Sequence, residues 1–168
     1  MLDNATWKRP SPFVIAARGV FAFHQAAYRA TGGLIGHHIG PLTFLLLTTR
    51  GARSGLARTL PLLYGRDGDD LILVASKGGS PRHPAWYGNL AAHPEVVVQV
   101  GSSNRWMEAR TATAEERPRL WKLMNRQYSG YDGYQERTDR EIPIVVLEPL
   151  ATKPGRGRKP APPKPKRS

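Results

Sequence analysis

The 168-residue chain has no cysteine, which excludes disulfides, thiolate metal sites and thiol nucleophiles together. It also lacks a long, uninterrupted apolar run. The segment PFVIAARGVFAFHQAAYRAT (12–31) is broken by Arg18, His24, Gln25 and Arg29, whereas a membrane-spanning helix needs about 20 mostly apolar residues. The opening MLDNATWKRP does not follow the charge-then-apolar-then-small order of a secretory leader, so a cytoplasmic location is expected. Gly-x-Ser-x-Gly and the P-loop spacing are both absent, which argues against a serine hydrolase and a P-loop nucleotidase. His37 and His38 are adjacent and so do not share a helix face, and no carboxylate completes a ligand cluster with His83 and His93. No metal site is expected.

Acidic residues are scarce: 13 against 25 Lys and Arg, for a net charge of +12. Most of that excess is local. Residues 151–168, ATKPGRGRKPAPPKPKRS, hold seven Lys/Arg and no acid, leaving +5 for residues 1–150. A Pro-, Gly- and Lys-rich run without aliphatic residues buries too little surface to offset its ordering entropy. It is read as a disordered tail. Anionic lipid, nucleic acid, or no dedicated partner are the readings that its charge leaves open.

Three parts follow along the chain. Residues 1–40 form an amphipathic helix and a connection: Ser11-Pro12 is a helix start, and Phe13, Ala16, Ala17, Val20, Phe21, His24 and Tyr28 make one apolar stripe before Gly32-Gly33. That stripe packs against the rest of the domain or lies on a membrane surface. Residues 41–150 hold the chemistry. Strands are predicted over 42–49, 56–65, 71–77, 95–101, 105–113 and 142–149, with an Asp-Gly hairpin at 67–68. A short helix is predicted over 85–93. A second is predicted over 114–127, opened by a Thr113/Glu116 capping box. Strands at short spacing with few helices favour an antiparallel barrel. Residues 151–168 are the basic tail.

Two loops carry candidate chemistry. RGARSG (50–55) followed by Arg58 gathers three guanidiniums around a glycine-bracketed turn, a pattern suited to an anion nest completed by Arg53, Ser54 and Arg58. A solvated hairpin tip is the plainer reading. ASKGG (75–79) ends an apolar strand, and its glycines permit close approach of a flat ring near Ser76 and Lys77. An ordinary strand exit fits as well. Tyr128, Tyr131 and Tyr134 offer flat apolar bodies with donor hydroxyls, either as a pocket wall or as a lid on the core.

The run from LLLTTRGARSG through ASKGG and HPAWYGNL to VVVQVG, with the closing YSGYDGYQERTDREIPIVVLEP, resembles the deazaflavin-dependent nitroreductase family, whose members use reduced coenzyme F-420. The likeness spans about residues 40–149. It implies a mainly β fold with flanking helices, a split β-barrel of the flavin-reductase type, with the coenzyme at its mouth. By that resemblance Arg53, Ser54 and Arg58 hold the coenzyme's phosphate and acidic tail, and Leu60 and Pro61 line the groove. Ala75, Ser76, Lys77 and Gly78 sit beside the deazaflavin ring with Trp86 as a wall. Tyr128, Tyr131 and Tyr134 form the substrate pocket, with Ser76 and Tyr134 as the catalytic pair. One departure is Ser129-Gly130, where relatives often have proline, which loosens the loop.

The implied activity is hydride transfer to quinones or nitro-heteroaromatics, the cofactor carrying the hydride. A menaquinone-like acceptor would bring the protein to the inner face of the membrane, with the N-terminal helix and basic tail on anionic lipid. The competing readings are an FMN-dependent reductase or oxidase on the same barrel, and a basic lipid- or nucleic-acid-binding module. No specific nucleic acid is expected.

Overall fold

The computed structural model describes residues 12–151; the proposed cap at Ser11 and the basic tail beyond Ala151 lie outside the described residues. Helix α1 (Pro12–Ala30) precedes a two-residue strand β1 (His38–Ile39), then β2 (Leu42–Arg50), β3 (Ala57–Leu63), β4 (Gly65–Asp67) and β5 (Asp70–Val74). A single 3-10 turn (Lys77–Gly79) leads to α2 (Ala85–Ala92), β6 (Glu95–Val100) and β7 (Ser103–Thr111). Helices α3 (Arg117–Gln127) and α4 (Gly130–Glu136) come before β8 (Ile144–Pro149).

All pairings are antiparallel, in the order β1-β2-β6-β7-β8-β5-β4, with β3 on β2. The predicted strand over 56–65 is therefore two strands that break at Tyr64. β3 bonds to β2 at one end of the sheet and β4 to β5 at the other, so one stretch of chain closes the barrel. The split barrel is thus the observed fold.

The near-continuous apolar runs of β5 and β8 have a simple cause. Side chains alternate between sheet faces, and here both faces are covered. Leu71, Leu73, Val145 and Leu147 point into the barrel with Leu45, Leu47, Val96, Val98 and Met107. Ile72, Val74, Ile144 and Val146 point outward, under Leu120 and Met124 of α3 and Tyr131 of α4. Gly65 lets α3 approach: a Cβ there would lie 2.5 Å from the Leu123 side chain. The capping box forms as predicted, with Thr113 N–H on Glu116 at 2.8 Å and Glu116 N–H on the Thr113 hydroxyl at 3.3 Å. The helix itself begins later than predicted, at Arg117. Helix α4 falls within a stretch whose polarity predicts no element.

The end of α1 docks on the barrel. Tyr28 is fully buried; its hydroxyl donates to Phe44 O at 3.1 Å and accepts the Gly101 N–H at 2.9 Å. Phe23, on the same helix, is exposed.

Candidate active site

Strand direction and register bring three segments to one end of the barrel: the β2–β3 turn, the loop after β5, and α2. The turn is built by its glycines and one serine. Gly51 N–H donates to Leu56 O at 2.9 Å, Gly55 N–H to Gly51 O at 2.8 Å, and Leu56 N–H to the Ser54 hydroxyl at 3.3 Å. Gly55 has φ +66°, a conformation costly for side-chain-bearing residues. Asn89 of α2 fastens the turn from behind, accepting the Ala52 N–H and donating to the Thr49 hydroxyl, both at 3.0 Å. Arg53, Ser54 and Arg58 are exposed. Among the described residues, Arg50, Arg53 and Arg58 make none of the ion pairs, in contrast to Arg110, Arg117 and Arg119.

The loop after β5 has unusual backbone geometry. Ser76 is right-handed (φ −71°, ψ −42°), and Lys77, Gly78 and Gly79 follow at φ +48°, +64° and +79°. Lys77 is the one non-glycine residue with positive φ among the described residues, a conformation that costs roughly 1–2 kcal/mol. A right-handed residue followed by a left-handed one turns successive N–H groups toward one point, the geometry of an anion nest. The N–H groups of Ser76, Lys77 and Gly78 have no hydrogen-bond acceptor among the described residues. The Ser76 side chain, 9% exposed, has no partner there either.

Gly79 joins this loop to the tyrosines, since a Cβ on it would lie 2.6 Å from Tyr134 O. The Tyr128 and Tyr134 hydroxyls are 3.0 Å apart. Tyr131 lies edge-on to Tyr128 with centroids 5.3 Å apart and is buried. Burial pushes the Tyr131 hydroxyl above its ordinary value, and the hydrogen bond shared with Tyr128, then burial, raise that of Tyr134. Gly130 has a close-packing role: a Cβ there would overlap the Tyr128 ring. The loop expected to be loose is thus filled by an aromatic ring.

The remaining predicted site residues lie deeper. Ala75 and Pro61 are buried, Trp86 is 7% exposed within the inner core, and Leu60 is half-buried against it. Two residues absent from the sequence reading belong to this region. Asn89 pins the turn. Arg140 donates to the carbonyls of Ala75 (3.2 Å), Ser76 (2.8 Å) and Ser80 (2.8 Å), with His83 Nδ1 at 3.1 Å. A helical asparagine facing a strand–turn junction is a weak signal for the first; an arginine in a charged stretch gives no signal for the last. No cluster of three or more His, Asp or Glu suited to a metal occurs among the described residues.

The donor set fits an elongated anionic redox coenzyme. Arginines without carboxylate partners suit a phosphate and an acidic tail, and unpaired amides beside aromatic rings suit a flat ring bearing electron-rich carbonyls. Comparison with known proteins points the same way. The family model for F-420H(2)-dependent quinone reductase matches residues 20–149. An F-420H(2)-dependent quinone reductase of Mycobacterium tuberculosis is 46% identical over 128 residues, 74% of this chain and 86% of the relative. The solved structure of an F-420H(2)-dependent reductase superposes with TM-score 0.59 at 43% identity, covering 62% of this chain and 93% of its own. A second solved structure, a domain-swapped dimer, gives TM-score 0.62 at 37% identity over 83% of this chain and 100% of its own. The chain belongs to the F-420H(2)-dependent quinone reductase family.

Proposed function

We propose that this protein is an oxidoreductase that passes hydride from reduced coenzyme F-420 to a quinone, with electron-poor nitro-heteroaromatics as further acceptors. The observation that carries this reading is the junction of the amide nest at Ser76–Gly78 with the tyrosine cluster across Gly79. When bound, the coenzyme supplies the hydride. Arg53, Arg58 and Ser54 hold its phosphate and acidic tail by charge-assisted bonds. The Ser76–Gly78 loop holds the ring. Tyr128 and Tyr134, backed by the buried Tyr131, wall the acceptor pocket, and the Ser76 and Tyr134 hydroxyls donate to the acceptor's oxygen as negative charge builds there. Ala75, Leu60, Pro61 and Trp86 serve as the packed floor under these groups.

Titrating the purified protein in parallel with oxidised coenzyme F-420 and with FMN, followed by fluorescence, tests the reading. Saturable binding of the deazaflavin, tighter than that of FMN, is expected. Tighter FMN binding would transfer the fold to a flavin enzyme.

Peripheral contact with an anionic membrane is the second part of the proposal. Phe23 on α1, Leu34 and Ile35 in the connection after it, and Ile39 of β1 are exposed apolar side chains. Gly33 and Gly101 meet beside them, at the end of the barrel where β8 leads into the basic segment. Among the described residues no helix is long and apolar enough to cross a membrane. Co-sedimentation with phosphatidylglycerol vesicles but not phosphatidylcholine vesicles is expected, and equal recovery with both would remove this part.

A further inference from the structure

The loop Ala75–Ser80 pairs a strained lysine with three unpartnered amides, and something must hold that arrangement. The peptide bonds are trans, so each N–H points away from the preceding carbonyl. The Ala75 and Ser76 carbonyls both accept from the same nitrogen, Arg140 Nη2, at 3.2 and 2.8 Å. Their partner amides, Ser76 N–H and Lys77 N–H, therefore point to the opposite side. Arg140 Nε holds the far end of the loop through Ser80 O at 2.8 Å. Nη1 lies 3.1 Å from His83 Nδ1, which accepts that bond when the imidazole is neutral; burial first, then the Arg140 charge, lower the proton affinity of His83.

Arg140 is itself fixed. Gln135 of α4 donates to Arg140 O at 2.8 Å and accepts the Ile142 N–H at 2.9 Å. The guanidinium has no carboxylate within ion-pair distance among the described residues. A planar fork of donors is the one side chain that can reach three carbonyls and a ring nitrogen at once; an ammonium has the charge without the span.

We infer that Arg140 is a positioning residue, which grips the carbonyl side of the Ala75–Ser80 loop and so aims the amides of Ser76, Lys77 and Gly78 at an electron-rich carbonyl of the bound ring. This deepens the proposed function and rests on it for the identity of the ligand. The geometry of the loop stands apart from that identity. Loss of Arg140 takes a donor from the Ala75, Ser76 and Ser80 carbonyls, of which Ser76 O keeps the Gly79 N–H at 3.1 Å; Lys77 then relaxes toward negative φ, which dissolves the nest without touching the arginines of the β2–β3 turn.

The test uses the full chain with Arg140→Ala and Arg140→Lys, and reads three quantities: the Kd of oxidised coenzyme F-420 by fluorescence, backbone amide shifts by NMR, and affinity in added guanidinium chloride at millimolar concentration. Both variants are expected to bind the coenzyme at least tenfold more weakly. The amides of Ser76, Lys77 and Gly78 should shift while those of Arg50–Gly55 stay in place. Guanidinium should recover part of the affinity in Arg140→Ala alone, which a general loss of stability would not allow. Wild-type affinity in either folded variant overturns the inference, as do unmoved amides at 76–78. Should Arg140→Ala fail to fold, Arg140→Lys decides by the same two readings. A wild-type chain that binds no coenzyme overturns the functional reading and the ligand assigned to the nest; the amide shifts still decide whether Arg140 shapes the loop.

Discussion

Asn89 on α2 takes the Ala52 N–H on its Oδ1 and gives its Nδ2 proton to the Thr49 hydroxyl, both at 3.0 Å. The helix that carries Trp86 and the turn that carries Arg53 are thus tied together by one side chain. Asn89→Ala should lower stability by about 1 kcal/mol, the net worth of such bonds, and should weaken coenzyme binding although Asn89 need not touch the ligand. Asn89→Asp keeps the acceptor and loses the donor, so it should fall between the two. Urea unfolding and coenzyme titration on the three proteins check this. Undiminished binding in Asn89→Ala would mean the turn holds its shape unaided.

Arg53 and Arg58 are exposed and carry no counter-charge among the described residues. Replacing each by Ala should cost roughly 1–3 kcal/mol in coenzyme binding, the scale of hydrogen bonds to charged groups. Because the site is open to solvent, the wild-type affinity should also fall with added salt. Unchanged affinity in both variants would remove them from the anion site.

The hydrogen bond shared with Tyr128 first, and partial burial second, hold the Tyr134 hydroxyl above its ordinary value of 10.0. Tyr134→Phe should therefore reduce turnover by about tenfold or more while coenzyme affinity moves little. The wild-type rate should show no fall from ionisation of Tyr134 below about pH 10. A variant that loses coenzyme affinity at full turnover would place Tyr134 outside the acceptor pocket.

Glu116 ties the capping box to the sheet. The Arg110 guanidinium first, and the Thr113 N–H second, pull its carboxyl down to about 2 from an ordinary 4.5. A depressed carboxyl contributes stability that is complete above its unfolded value and is lost as pH falls toward its folded one. Denaturant midpoints should thus drop between about pH 4.5 and about pH 2. Glu116→Gln should be less stable at neutral pH and should show a shallower drop in that window. Parallel curves for the two proteins would mean the pair contributes nothing on folding.

The legible parts of the sequence were those governed by local rules. Short apolar runs and the turn residues that bound them place β2, β6 and α2 to within a residue or two, and the Thr113/Glu116 box marks its helix because both bonds are local. The break at Tyr64 was not legible, since LARTLPLLYG runs on without a turn signal and only barrel closure divides it. Helix α4 was hidden by its glycines and polar residues; the burial of Tyr131 and the contact of Gly79 with Tyr134 hold it in place. Resemblance supplied the site residues, and spacing alone left each loop with a plain alternative. Arg140 and Asn89 escaped both routes, because the atoms they bond lie far away in sequence.

The most direct measurement of the central claim is the absorbance of reduced coenzyme F-420 mixed with the protein and a soluble menaquinone analogue under anaerobic conditions. The account predicts oxidation of the coenzyme that is stoichiometric with quinol formed, saturates in both substrates and fails in Arg53→Ala/Arg58→Ala. A reduced coenzyme that persists in the presence of the wild-type protein and quinone, or a reaction of equal rate in that double variant, would contradict it.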